Sequence, residues 1–350
     1  MRAPASIIIS IILLIPPLGG IDLLKTKASD YGLRGAVRRF IERITYPASG
    51  PIGERTITTT SLFSANGWLL ERRVGTTAGT DYVMTYTYDA NGQLVSVKSN
   101  SGTQQVIYDR DQDGRKRATE NFPPRLAERN AAVGAITWEG SDLQFPPPPG
   151  GTITTIYDQQ NRPVEGQVRD ASGDLTMRIV RTYDNQGKIN SDKLIPEETQ
   201  TRVPEQLASQ LNDVQKKAMA GFIASAFYTG ESGYKYDSQG RVIEKHRIGG
   251  VVGETFTTIA YNDHGDIKDE LTVEARAANP GGKFEINDAG ELSPISTSEV
   301  PEERRTETHY KYEYDAQDNW TKRTTTSDSG KGQPTTSEIV ERMITYYQER

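Results

Sequence analysis

One turn keeps returning along this chain, and it constrains the fold more than any other feature. In Tyr86-Thr-Tyr88-Asp89-Ala-Asn91-Gly92-Gln-Leu94 the two tyrosines fall on the same face of a strand, because strand side chains alternate with period two. The aspartate can cap backbone N–H groups. The glycine three residues later supplies the positive φ that a type I turn with a G1 bulge requires. A second strand then starts at Leu94. The unit recurs at Tyr183-Asp184 with Gly187, at Tyr236-Asp237 with Gly240 and at Tyr261-Asn262 with Gly265. After Tyr157-Asp158 and Tyr314-Asp315 the glycine is replaced by Asn161 and Asp318, the residue types that best tolerate the left-handed region. Degenerate copies stand at Phe63-Ser64 with Gly67 and at Ile286-Asn287 with Gly290, while Tyr108-Asp109 delays its glycine to Gly114. Counted on the Asp position, 64 to 89 is 25 residues, 158 to 184 is 26, 237 to 262 is 25, 262 to 287 is 25 and 287 to 315 is 28.

Composition fits a thin structure built from such units. Only 35% of residues are apolar, and 17 tyrosines outnumber 8 phenylalanines, too little for a thick leucine-rich core but suited to strands faced with Tyr, Thr and Val. A net charge of -6 gives no basic stripe for nucleic acid. With no cysteine, disulfides, thiolate zinc sites, a cysteine nucleophile and an N-terminal lipid-bearing cysteine are all excluded within this sequence.

The Y-x-Y-D-x-x-G units resemble YD repeats, the modules of Rhs and teneurin proteins and of insecticidal toxin shells. The stretches Ser29-Asp-Tyr-Gly-Leu-Arg-Gly-Ala-Val-Arg, Tyr312-Glu-Tyr-Asp-Ala-Gln-Asp-Asn-Trp320 and Ile344-Thr-Tyr-Tyr are similar to small exported YD-repeat proteins of acidobacterial type. That resemblance implies an all-β fold, an elongated twisted antiparallel sheet of tandem β-hairpins, and a link to carbohydrate. The toxin and autoprotease core of the larger relatives have no counterpart in this sequence, so a scaffold is expected rather than a cocoon.

The expected order is a signal peptide over 1–28, hairpins over 29–120, a Pro-rich loop over 121–151, hairpins over 152–200, an amphipathic helix over 201–230 and hairpins over 231–350. The first segment has Arg2 before an apolar run of 7–15, too short to span a bilayer, with Gly20 and Ala28 as cleavage candidates. Pro123, Pro124 and the run 146–149 forbid central-strand pairing and predict a surface loop. Leu207, Leu211, Val214, Ala218, Phe222, Ile223 and Ala226 share one helical face, which predicts a helix packed on the sheet.

Candidate chemistry is sparse. Asp109, Asp111, Asp113 and Glu120 fit the D-x-D-x-D-G-x₅-E calcium loop, whose alternate carboxylates converge on a hard cation. Strand-like residues before it, Pro123 after it and the cations Arg115, Lys116 and Arg117 favour the alternative of a decorated hairpin turn. His246, His264 and His309 are isolated from one another, and no nucleophile elbow, phosphate loop or dinucleotide fingerprint occurs. Trp68, Trp138 and Trp320 are the candidate stacking platform for a sugar or peptide, while the tyrosine ladders are read as core. These residues point to an exported, periplasmic or extracellular scaffold that is not an enzyme and binds polysaccharide in preference to an envelope protein. A protein-interaction scaffold and a calcium-stabilised array are the alternatives. No cofactor is expected other than that calcium, and no membrane span is expected in the mature chain.

Overall fold

The computed structural model describes residues 9–10, 26–48, 53–76, 82–100, 102–122, 136–145, 148, 150–197, 209, 211–219, 230–249, 253–275, 283–286, 292–294, 303–330 and 334–348. Its strands in chain order begin with β1 (Ile9–Ser10), β2 (Val37–Tyr46), β3 (Arg55–Phe63), β4 (Leu69–Thr76), β5 (Tyr82–Tyr88) and β6 (Leu94–Ser99). β7 (Gly102–Arg110), β8 (Lys116–Asn121), β9 (Ile136–Thr137), β10 (Gln144–Phe145), β11 (Thr152–Tyr157) and β12 (Pro163–Arg169) follow. Then come β13 (Leu175–Tyr183), β14 (Ile189–Pro196), β15 (Gly230–Tyr236), β16 (Val242–Ile248), β17 (Glu254–Tyr261) and β18 (Ile267–Ala275). The last are β19 (Lys283–Ile286), β20 (Leu292–Pro294), β21 (Arg304–Tyr314), β22 (Trp320–Asp328) and β23 (Thr335–Tyr346).

Eighteen of these strands form a single antiparallel sheet that closes into a barrel. The elongated YD-repeat sheet expected from the sequence is therefore corrected, in fold and in family resemblance alike. β2 and β23 would be the free edges of such an array. Instead they pair with each other, from Val37 opposite Tyr346 to Thr45 opposite Ile339. An exposed edge is a template for aggregation, and closure removes both edges at once. The strands β9 and β10 pair only with each other, and β1, β19 and β20 form a separate small sheet. Thus β18 pairs directly with β21, and the strands around the degenerate copy near 287 stay outside the wall.

Eight five-residue turns lie at one rim, joining β3 to β4, β5 to β6, β7 to β8, β11 to β12, β13 to β14, β15 to β16, β17 to β18 and β21 to β22. In each, the first residue's N–H donates to the carbonyl of the fifth and the fourth N–H donates back to the first. Asn161 and Asp318 take the left-handed conformation at φ 58° and 59°, where the other copies use glycine. The acidic copy is shifted: its turn opens on Asp111, and Tyr108 to Arg110 remain in β7. Connections at the opposite rim vary in length, from two residues between β6 and β7 and the equivalent turn at 170–174 to the insertions between β8 and β11, β14 and β15, and β18 and β21.

Alternation divides each strand between two environments. The more buried face carries Phe40, Phe63, Leu69, Met84, Tyr86, Val97 and Val106 in one apolar cluster, and Ile153, Val168, Met177, Ile179 and Leu194 in a second. Only the concave side of a closed sheet can be enclosed by the chain's own segments, so this is the inner face. Tyr31, in a 3₁₀ turn at Ala28–Tyr31, covers the first cluster with its ring 5.8 Å from Phe63. The second is covered by Trp138, Leu143 and Phe145 of the Pro-rich insertion, each at most 2% exposed. The described part of that insertion is buried rather than a surface loop, because its aromatic residues fill space left by small ones. A Cβ at Gly166 would lie 2.9 Å from Trp138.

Arg43, Lys98, Asp109, Lys193, Lys235, Lys311, Glu313 and Glu341 are exposed on the opposite, outer face. Cross-strand pairs such as Arg117–Asp109 and Lys235–Glu244 lie there. Among these charged residues Leu70, Ile107, Ile248, Phe256 and Met343 are exposed as well. Among the described residues no helix is long and apolar enough to cross a membrane. In the expected helix, residues 213–219 are helical, with Leu211, Gln215 and Met219 buried and Val214 exposed. Most of the expected signal peptide, Pro123, Pro124, the remainder of the helix and 287–290 lie outside the described residues.

Removing residues 335–350 would expose the edges of β2 and β22, and the truncated chain should run as oligomers or aggregate in size-exclusion chromatography where the full chain runs as one discrete species. Phe40→Ala, at a side chain 1% exposed, should cost roughly 3–5 kcal/mol in denaturant unfolding.

Candidate functional site

Five tyrosines at or near the turns reach across to the neighbouring hairpin, while Tyr157 donates instead to Glu139 of the insertion. The hydroxyls of Tyr88, Tyr183, Tyr236, Tyr261 and Tyr312 donate to the carbonyls of Leu69, Pro163, Ile189, Val242 and Ile267, each the first residue of a strand leaving an adjacent turn. The cation ending a turn sits over the next tyrosine ring: Arg162 is 4.2 Å from the Tyr183 centroid and Arg241 is 4.5 Å from that of Tyr261. At the barrel's seam Asn319 accepts from the Arg34 N–H at 2.7 Å and donates to the Arg34 carbonyl at 3.0 Å. The Tyr346 hydroxyl donates to Asp315 at 2.6 Å. This rim is a continuous belt of hairpin-to-hairpin contacts, with its polar groups engaged in holding the wall.

The inner face of β18, β21, β22, β23 and β2 differs in chemistry. Val37, Phe40 and Val340 keep part of it apolar, and beside them a cavity of about 360 Å³ opens, lined by Tyr46, Ile267, Tyr310, Tyr312, Arg323, Thr325, Ser337 and Glu338. Tyr310 and Tyr312 alternate on β21, opposite Thr325 and Arg323 of β22, so register alone puts the four on one face. Tyr310 donates to Glu270 at 2.6 Å, and Arg323 donates through Nη2 to Glu338 at 2.5 Å. Behind them Arg342 packs 3.2 Å from the Trp320 ring centroid and donates to Glu42 at 3.1 Å. Burial drives its guanidinium down to about 10 despite the Glu42 carboxylate. Burial pushes Tyr312 up to about 12 against the lowering effect of Arg323, and raises Tyr46 and Tyr310 beside Glu338 and Glu270. All three phenols stay protonated at neutral pH.

One wall group is unanswered. Thr325 is 6% exposed, and its hydroxyl has no hydrogen-bond partner among the described residues; the Nε of Arg323 beside it is likewise unpaired. A buried hydroxyl left unmatched costs about 1–3 kcal/mol.

The sequence candidates lie elsewhere. The four carboxylates of the calcium pattern are not brought to one point. Asp109 is on the outer face, clamped by Arg117 at 2.6 and 2.7 Å. Asp111 caps its own turn, accepting from the N–H groups of Asp113 and Arg115, while Asp113 points outward beside Arg115. Glu120 is buried on the inner face and accepts from Gln104 at 3.0 Å. No group of three or more His, Cys, Asp or Glu placed to hold a metal occurs among the described residues. A turn that satisfies its aspartate internally has no carboxylates left to converge.

The three tryptophans form no shared platform. Trp68 packs on Tyr88 and Gly92 at the rim, where a Cβ on Gly92 would fall 2.7 Å from its ring. Trp138 donates to Thr155 at 2.9 Å inside the barrel, under the guanidinium of Arg181, and Trp320 is 9% exposed beneath Arg342. The histidines are each taken up locally: His246 stacks on Phe256 beside Glu254, His264 stacks on Tyr314, and His309 meets Asp269. The cavity residues carried one legible signal, the Tyr310-Tyr312-Tyr314 alternation. Their meeting with Ser337, Glu338 and Tyr46 depends on closure.

No protein-family model matches the chain, and no curated protein matches it. Among solved structures, a porin-like protein from Bacteroides uniformis is 13% identical over 87% of this chain and 97% of its own, with a TM-score of 0.37. A porin-like protein from Bacteroides vulgatus is 10% identical over 77% and 95%, with a TM-score of 0.25. The Tc holotoxin pore of Photorhabdus luminescens, in a mutant form, is 13% identical over 86% of this chain and 15% of its own, with a TM-score of 0.21. None of these likenesses assigns a function to this chain.

The turn carboxylates predict an acid limb. The Arg117 guanidinium holds Asp109 below the usual carboxylate range, and the Arg241 backbone and side chain do so for Asp237. Against a desolvation that would raise them, Arg115 and Arg162 hold Asp111 and Asp158 down in the same way. A depressed folded value means that these groups add stability above the unfolded value of about 3.9 and lose it as pH falls through the folded one. The Tm should therefore drop steeply below about pH 4. Asp111→Ala should lower the Tm equally in calcium and in chelator; a calcium-dependent difference would restore the metal reading.

Proposed function

We propose that this chain is a non-catalytic cell-envelope protein whose barrel encloses a binding site for a hydrophilic, saccharide-like ligand. The observation that carries this reading is the cavity walled by Tyr46, Tyr310, Tyr312, Arg323, Thr325, Ser337 and Glu338. Tyrosine rings offer flat apolar faces with polar tips, which suits the C–H faces and hydroxyls of a sugar. About 360 Å³ lies at the lower end of the range for small-molecule pockets, of order 300–1,000 Å³. The groups lining it have no nucleophile–base pair, which supports binding without covalent chemistry. Export follows from the apolar N-terminal run behind Arg2, and the charged outer wall supports a barrel on the water side of the envelope rather than within lipid.

Ser337→Ala, at an exposed lining hydroxyl, tests the site. Titration calorimetry with neutral oligosaccharides should show binding to the unaltered chain and about tenfold weaker binding to the variant, for one lost hydrogen bond. Equal affinity in both chains would overturn the assignment of the cavity. A chain that requires detergent to remain in solution would overturn the water-facing barrel.

A further inference from the structure

We infer that Glu338 makes the cavity select neutral over acid-bearing saccharides, an inference that rests on the saccharide reading of the same site. Of the eight lining residues only Arg323 and Glu338 are charged, and they face each other at 2.5 Å. Their side chains are 28% and 21% exposed, so the pair sits inside the wall rather than in free solvent. The charges next to them lean negative: Arg342 is met by Glu42 and Arg55 lies over the ring of Tyr46, while Glu270 holds the hydroxyl of Tyr310 and Asp266 acts on Tyr312. A neutral ligand entering this space meets no charge repulsion, and its hydroxyls can pair with the tyrosine and serine hydroxyls that line it.

A uronate meets a different situation. Its carboxylate would be drawn to Arg323, whose Nη2 is already donated to Glu338, and it would have to displace or sit beside that carboxylate. Like charges within a few ångströms in a partly buried site repel strongly. Glu338 therefore acts by exclusion: its carboxylate engages Nη2 of Arg323 and sets a negative charge where a second anion would have to sit. Removing its charge while keeping its shape would lift that repulsion and open the arginine's fork for bidentate capture of a carboxylate.

The test is titration of the full chain with a neutral tetrasaccharide and with an oligouronate of equal length, at neutral pH and low salt. The parent should bind the neutral ligand at least tenfold more tightly. Glu338→Gln should reverse that order, whereas Glu341→Gln on the outer face, with the same change in net charge, should leave it alone. If the parent binds the uronate as well as the neutral sugar, the inference fails while the saccharide reading stands, and this arm needs no variant to fold. If the parent prefers the neutral sugar and a folded Glu338→Gln chain keeps that preference, the selectivity does not belong to Glu338. If the parent binds neither, the saccharide reading falls and the inference with it.

Discussion

Everything enclosed in this molecule depends on the ladder between β2 and β23. Each of the other strand junctions joins neighbours in a sequence of hairpins, but this one joins residues some three hundred positions apart, from Val37–Tyr346 to Thr45–Ile339. Without it there would be a curved ribbon with two exposed edges; with it there is an inside. The ladder also carries chemistry, since Arg342 on β23 meets Glu42 on β2 behind the cavity wall. Closing such a distant contact is entropically slow, because the whole array must form first. The Arg34–Asn319 and Tyr346–Asp315 contacts fasten the same seam at the turn rim.

The inner surface is unevenly furnished, and that unevenness creates a place for a ligand. From β3 to β14 the concave face is filled with apolar side chains covered by Tyr31 or by Trp138, Leu143 and Phe145. A buried pair secures the second cover: Arg181 and Asp192, 2% and 0% exposed, join at 2.6 Å while Arg181 also donates to the Glu139 carbonyl. Around the cavity, between β18 and β2, the same face is tyrosine, threonine, arginine and glutamate, with Phe40 and Val340 beside them. Polar walls hold no tight apolar plug, so space persists where the sheet continues and the filling stops.

The turns were legible because their chemistry is local. An aspartate that accepts two N–H groups and a left-handed fourth residue leave a recognisable mark, even at Asn161 and Asp318. The delayed Gly114 marked the shift, but not its start at Asp111, because Tyr108-Asp109 imitates the motif while its strand runs on for two residues. Closure was not legible, since the same turns serve an open ribbon and a barrel, and strand tilt and stagger leave no residue-level signature. The site failed for a related reason. Asp109 and Glu120 share a motif in the sequence but point to opposite faces, whereas Tyr46 and Glu338 share a cavity and no motif. The buried insertion was misplaced because its prolines spoke louder than Trp138 and Phe145.

The belt of identical turns has one more consequence. With Val37 opposite Tyr346, the first and last strands of the wall meet in a ring held by the same turn chemistry. Such a ring has no privileged first hairpin. The order of its hairpins in the sequence is therefore a convention, and a circular permutant that linked β23 to β2 and opened at another connection would retain the same wall. The turn rim leaves little room for inserted residues, so lineages of this architecture would be expected to diversify at the opposite mouth.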